Sequence, residues 1–330
     1  MVVVMEVSAS EEQIETVIET MIEFGFNPSR TTGVDQTMIA GVGHGYVDLA
    51  SFLAMDGVQD AFRISSPYPR GSRSAQPGGT QFRIGTAEAG GNRLLMMVRP
   101  CQITSSEQID ELCRTAARLG AKGVVAGAIR SSRLRSGFET AGEQALVWLR
   151  AAADRHKLFV VSEVTGPANL PSLLDNCDAL EVSAAQMQNY GLLAELGSHS
   201  KPIILERNLS ATIEDLLLSA EAILAAGNPN VLLCERGIRT FDNSMVNTMD
   251  ISAIPLVHKL SHLPIIADPA RATGRKDKVL PMARAAVAAG ADGLIVEVDA
   301  DAGVQSLSYT QYEAFTREIG LIARAVGRET

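Results

Sequence analysis

Eight short apolar runs in the second part of the chain each end on a side chain able to do chemistry. In chain order the ends carry Arg99 and Cys101, Arg130, Glu163, Glu181, Glu206 with Arg207, Glu235 with Arg236, Asp268 with Arg271, and Glu297. Carboxyl groups shielded from water can exchange a proton near neutral pH, which makes Glu163, Glu206 and Glu297 the candidate general acids and bases. Guanidinium forks hold planar carboxylates at two points, and Arg99, Arg130, Arg133, Arg236 and Arg271 are the candidate substrate ligands. Any single one of these residues is equally read as half of a rim ion pair. The set, closing run after run, argues for a site. Cys101 is a candidate nucleophile, because a cation such as Arg99 beside a thiol lowers its pKa. No histidine stands at a run end: His262 precedes the seventh run, His44 lies in the N-terminal part, and His156, His199 and His258 fall in helical stretches.

The elements that must position these residues follow from pattern. LLMMV, GVVAG, LFVVSE, ALEVS, PIILE, NVLLC, LPIIA and GLIVE alternate with amphipathic segments. Unbroken apolar runs are expected of strands buried on both faces. Eight such strands, each followed by a helix, predict an α/β fold of the (β/α)8 TIM barrel type, with its site at the C-terminal strand ends. An open doubly wound sheet is the alternative, but no GxGxxG follows the first strand. Residues 1–66 read strand, helix, strand, strand, helix, strand, the order of a small ferredoxin-like α+β domain with a regulatory or dimerising role. Ser8 and Ser10 offer caps for its first helix. Residues 67–79, rich in Ser, Pro, Gly and Arg, read as a linker, and 80–330 as the barrel.

A length of 330 residues with 46% hydrophobic and 20% charged side chains suits one large core and a smaller one. A net charge of −9 excludes nucleic acid and anionic membrane surfaces as partners and leaves the arginine cluster as a local feature. No apolar run reaches membrane-spanning length. Four cysteines without paired spacing, and an N-terminus lacking a basic region and cleavage site, predict a cytoplasmic protein with free thiols.

The stretch CERGIRTFDNSMVNTMDISAIPLVHKLSHLPIIADPARATGRKD, residues 234–276, resembles the class I, beta-subtype DAHP (3-deoxy-D-arabino-heptulosonate 7-phosphate) synthases. So do AQMQNYGLL, LSATIEDLLLSAEAILAAGNPNVLLCERG and the closing AAGADGLIVEV with QSL. The resemblance covers nearly all of residues 80–326, and the N-terminal part is similar to the regulatory domain of some members. It implies a barrel that condenses phosphoenolpyruvate with erythrose 4-phosphate on a divalent metal (Mn, Fe, Co or Zn), held by Cys, His, Glu and Asp. It also implies a dimer or tetramer.

Several family positions differ. Cys101 and Glu297 match metal ligands, but RPCQ stands for GPCS, and DPARATGR stands for DPSHATGR, which puts Arg271 in the place of the His. Asp299 and Asp301 are imperfect matches to the Asp. An arginine stays protonated and offers only donors, so it cannot ligate a metal. Val125 replaces the Arg of LRGG; Arg130 and Ser132 replace the Lys and Arg of KPRTSP; Ala185 replaces the Arg of GAR; Glu206 replaces the Lys of LLKRG. Arg236 in CERG is retained. A carboxylate in place of a phosphate-binding Lys repels phosphate.

These positions lead to the expectation of a diverged enzyme with no cofactor, its metal site reduced to the remnants Cys101 and Glu297. Arg271 would stand in for the metal's charge, paired with Glu297 or Asp268. The enzyme would take a small anionic carboxylate or sugar-acid-like metabolite through aldol-type, elimination or rearrangement chemistry, without phosphoenolpyruvate, in a shikimate-linked or specialised pathway. The alternatives are a non-catalytic regulatory relative and a DAHP synthase with a rebuilt site.

Overall fold

The structure, a computed structural model, describes residues 1–33, 36–43, 49–62, 66–127, 142–242 and 244–330. It divides into two units, Met1–Pro67 and Tyr68–Thr330.

The first unit runs β1 (Val2–Met5), α1 (Glu11–Glu23), β2 (Phe26–Thr32), β3 (Thr37–Gly43), α2 (Leu49–Leu53) and β4 (Val58–Phe62). Its sheet has the order β2-β3-β1-β4, with antiparallel pairing throughout. Of the two candidate caps, Ser10 is the one used: its Oγ accepts from Gln13 N while the Gln13 side chain accepts from Ser10 N. That reciprocal pair satisfies two donors of the helix start. Ile14, Val17 and Met21 lie on one stripe of α1 and bury against Val3, Met5, Ile39 and Phe52.

The second unit is the barrel. Its strands are β7 (Leu95–Pro100), β8 (Gly123–Ala126), β9 (Phe159–Glu163), β10 (Ala179–Val182), β11 (Ile203–Glu206), β12 (Val231–Glu235), β13 (Ile265–Ala267) and β14 (Gly293–Asp299). All pair in parallel, and β14 returns to β7, closing the ring with Glu297 opposite Arg99. Helices α3 (Ser106–Arg118), α4 (Gly142–His156), α5 (Leu170–Asn176), α6 (Tyr190–Gly197), α7 (Ile213–Ala225) and α8 (Ala253–Leu260) link successive strands. Beyond β13 come α9 (Pro269–Thr273) and α10 (Lys276–Ala288); beyond β14 come β15 (Leu307–Ser308) and α11 (Tyr309–Ala325).

Two features were not expected. A hairpin, β5 (Phe82–Ile84) with β6 (Ala87–Ala89), precedes the barrel. Its Ile84, Ala87 and Ala89 pack with Leu95, Phe159 and Ala179 at the N-terminal ends of the strands, so it plugs the end away from the site. The stretch read as a linker is strapped to the barrel from residue 68 on. Tyr68 lies in the barrel's outer core, Arg73 N donates to Leu260 O at 2.9 Å, and Gly71 N donates to Glu221 Oε2 at 2.9 Å.

Strand alternation sets what faces inward. Met97, Val125, Val161, Ala179, Ile204, Ile266 and Ile295 fill the barrel interior, while Val98, Val124, Val160, Leu180, Leu205, Ile265 and Val296 pack outward on the helices. One step further toward the C-terminal ends, the inward positions become Arg99, Glu163, Glu181, Glu206, Asp268 and Glu297. The apolar interior therefore carries a charged layer on top.

Candidate functional site

That layer is an ion-pair network. Arg99 and Glu181 form a two-point pair, with Nη1 to Oε2 at 3.0 Å and Nη2 to Oε1 at 2.6 Å. Arg99 Nη2 also lies 3.8 Å from Glu206 Oε1 and 3.8 Å from Asp268 Oδ2. Arg99 is 2% exposed, so it is the hub of the network and its fork is spent on Glu181. Arg99 was expected as a substrate ligand; as placed, its fork is occupied by Glu181.

Arg271 sits on α9, a helical turn where the sequence suggested only a Gly-rich loop. Asp268 caps this turn, accepting from Arg271 N at 2.9 Å, and Gly274 ends it in the left-handed region at φ 65°. A Cβ at Gly274 would also lie 2.3 Å from Val246 Cγ2, so only glycine fits. The capped turn aims the guanidinium back over the mouth. Its short bond goes to Glu206, Nη1 to Oε1 at 2.8 Å, while Asp268 and Glu297 stand off at 3.9 and 3.8 Å. The expected pairing with Glu297 or Asp268 is thus secondary to one with Glu206. Arg236 has Glu206 Oε2 at 3.8 Å as its ion pair, and its buried Nε donates to no group. Of the described mouth arginines it is the least engaged. Arg207 is turned away: it bonds Glu235 and Asp250, each at 2.9 Å, outside the inward layer.

The carboxyl groups divide by environment. Burial and the neighbouring Glu181 push Glu206 up to about 7, against the opposing pull of Arg271, Arg99 and Arg236. Ala184 N steadies it, donating to Oε2 at 3.0 Å. Glu181 is held low by the Arg99 guanidinium despite its complete burial. Burial and Asp268 raise Glu297. Glu163, at the end of β9, is 9% exposed and in register with Glu181. Among the described residues its carboxylate has no hydrogen-bond or ion-pair partner. Arg130 and Arg133 lie outside the described residues.

Cys101 is exposed, but its thiol is raised, first by burial of part of the side chain and then by Glu297 and Asp299; a hydrogen bond with Ser306 opposes this. The cation expected to activate it is bound to Glu181 instead. All four cysteines are free.

Glu181 and Asp268 were visible as strand-end residues but were not singled out. Alternation could have found them: each lies two residues beyond an inward apolar side chain, Ala179 and Ile266. A divalent metal does not fit the side chains as placed. Among the described residues no group of three or more His, Cys, Asp or Glu could hold one. The Arg271 guanidinium, 3.8 Å from Glu297, stands where a further donor is required.

The comparisons with known proteins agree along the whole chain. Residues 75–319 match the DAHP synthetase I family, and residues 1–66 match the DAHP synthase ferredoxin-like domain. The chain is 36% identical over 334 aligned residues to phospho-2-dehydro-3-deoxyheptonate aldolase of Thermotoga maritima, covering 99% of both. The crystal structure of a DAHP synthase from Thermotoga maritima superposes with a TM-score of 0.77 at 36% identity, covering 99% of this chain and 98% of that one. A truncated form of the Thermotoga maritima enzyme gives 0.74 at 38% identity, covering 80% of this chain and 99% of that one. These matches overturn the expectation of no cofactor, since the DAHP synthases are divalent-metal enzymes. The misfit at Arg271 is a property of the side-chain arrangement and does not reinstate that expectation. With both of its units matched, the chain belongs to the DAHP synthetase I family.

Proposed function

We propose that the barrel mouth catalyses the aldol-type condensation of the DAHP synthases, joining phosphoenolpyruvate to erythrose 4-phosphate with consumption of one water and release of inorganic phosphate. The observation that carries this is the 36% identity to a phospho-2-dehydro-3-deoxyheptonate aldolase across 99% of the chain. At the site, Arg236 supports it as the retained guanidinium with capacity left for an anion. Arg271, one-fifth exposed at its side chain, can turn from Glu206 toward a bound phosphate or carboxylate. Formation of the carbon–carbon bond puts a proton on the former aldehyde oxygen, and Glu206 and Glu297, both with raised proton affinity, are the groups able to supply it. An oligomer in a cytoplasmic setting, acting on small anionic metabolites, fits this reading.

A second reading has its own observation. Glu206 stands where the family motif has a Lys, and the arginines nearest it are already neutralised by carboxylates. Under this second reading the mouth takes a small carboxylate without phosphoenolpyruvate.

Phosphate release from phosphoenolpyruvate with erythrose 4-phosphate, measured with and without added Mn, Co, Fe or Zn, decides between them. Release requiring the aldose supports the condensation. No release with any metal, from folded protein that still binds a small carboxylate, supports the second reading. Binding of neither leaves a non-catalytic relative.

A further inference from the structure

We propose that Arg207, the arginine turned away from the mouth, is the positioning residue that aims Arg236 at the anionic substrate. The inference rests on the reading of the mouth as the phosphoenolpyruvate site and assigns what fixes its least engaged guanidinium.

Arg236 directly follows the last residue of β12, and its own side-chain contacts steer it weakly. Its ion pair with Glu206 is long, at 3.8 Å, and among the described residues its buried Nε donates to no group. Its aim therefore depends on the backbone that carries it, and that backbone is tied on both sides. Glu235 O accepts from Asp268 N at 2.9 Å, and the Glu235 carboxylate reaches past Arg236 to accept from Gly237 N at 2.7 Å. Gly237 is left-handed, with φ 91°, and a Cβ there would stand 2.9 Å from Ala272 Cα. The turn is thus packed against α9 with no room for a side chain.

Arg207 anchors the carboxylate that makes this tie. Its Nη1 donates to Glu235 Oε2 and Asp250 Oδ2, each at 2.9 Å, and its Nε donates to Ala211 O at 3.0 Å. Both Arg207 and Glu235 are buried. One guanidinium therefore joins the end of β11, which bears it, the end of β12 through Glu235, and the approach to α8 through Asp250, whose Oδ1 accepts from Ala253 N at 3.2 Å. Between the two carboxylates the chain folds back on itself: Ile238 N donates to Thr248 O at 2.8 Å and Thr248 N to Ile238 O at 2.9 Å. Asn247 in this fold donates to Arg271 O at 3.2 Å, so the clamp also reaches the backbone of the second mouth guanidinium. Burial raises the proton affinity of Glu235 and Arg207 opposes the rise. Without the guanidinium Glu235 takes a proton more readily and accepts from Gly237 more weakly. A lysine keeps the charge but not the rigid plane of donors.

The test is calorimetric binding of phosphoenolpyruvate to the full chain, read both as affinity and as number of sites. Arg236→Met is expected to weaken binding about ten- to a hundredfold, the span of a charge-assisted bond. Arg207→Lys is expected to weaken it about tenfold at an unchanged number of sites, because a misaimed ligand costs affinity in every molecule. Placed on top of Arg236→Met, Arg207→Lys is expected to cost less than about twofold more. If Arg207→Lys does not fold, Asp250→Asn, at a partly exposed position, loosens one arm of the clamp and carries the same cycle with a smaller loss. Fewer sites of wild-type affinity, or losses that add in the double variant, show a merely structural clamp and overturn the inference. Phosphoenolpyruvate bound as tightly by Arg236→Met as by the wild type also overturns it, while the mouth stays the substrate site. A wild type that binds no phosphoenolpyruvate rejects the reading of the mouth and the inference with it.

Discussion

Arg99 on β7 and Glu181 on β10 meet inside the barrel through two hydrogen bonds, at 3.0 and 2.6 Å, although 82 residues separate them in the chain. With Glu206 and Asp268 each 3.8 Å from Arg99, this pair is the structural centre of the mouth. Removing one member of a buried pair leaves the other charge uncompensated, at a typical cost of about 3–5 kcal/mol. Arg99→Met is therefore expected to destabilise the protein by about that amount, because it strands Glu181 near two further carboxylates. Arg99→Met combined with Glu181→Met should recover most of the loss. Chemical denaturation of the singles and the double checks it; additive losses would show that the two residues do not act as a unit.

Glu206 gives the network a pH dependence. Its folded-state pKa, near 7, lies above the ordinary 4.5, so between those values the folded protein holds a proton that the unfolded chain has lost. Stability from this group is full below about pH 4.5 and is lost as pH rises through about 7. Glu181 works in the other direction and in a lower window: its pKa is depressed, so its contribution is lost on acidification below the ordinary carboxylate range. Melting curves from pH 5 to 8 should show wild-type stability falling relative to Glu206→Gln. Parallel curves would mean that the three arginines keep Glu206 ionised throughout.

Arg271→His tests the metal side of the mouth. The substitution removes the guanidinium standing 3.8 Å from Glu297 and offers an imidazole near Glu297, whose charge in turn acts on the Cys101 thiol. Titration with Co(II), followed by sulfur-to-cobalt charge-transfer absorption, is expected to show binding at least about tenfold tighter than in the wild type. Unchanged affinity would place the obstacle in the 299–306 loop, where Asp299 and Asp301 are imperfect matches to the family Asp.

Cys101 is exposed and yet should be slow. Its thiol is raised by burial, Glu297 and Asp299, so less thiolate is present at pH 7.5 than in an ordinary cysteine. Iodoacetamide labelling should be slower than that of a cysteine in a short peptide, and Glu297→Gln should speed it. The other three cysteines are buried and serve as an internal blank.

The fold and family were legible in the sequence because both rest on local, repeated information. Eight apolar runs of strand length gave eight barrel strands, and the alternation within each run fixes which charged residue crowns it. CERGIRTF and DPARATGR carried the family. Short elements were not legible. The three-residue strands of the β5–β6 hairpin and the single turn of α9 are too brief for any periodicity, and they form because the barrel end and Asp268 hold them.

The sequence by itself determined that Arg, Glu and Cys stand at the mouth, and that Arg271, Ala185 and Glu206 occupy positions where the family motifs have other residues. Only the tertiary structure decided their partners. Arg99 was expected at the substrate and is spent on Glu181; Arg271 was expected at Glu297 or Asp268 and bonds Glu206, 65 residues away. Glu163 was one carboxylate among several and, among the described residues, has no ion-pair partner. Pairing among charges at adjacent strand ends depends on register and barrel closure, which bring distant residues within a few ångströms, and in a buried layer the electrostatic energy falls steeply with those distances.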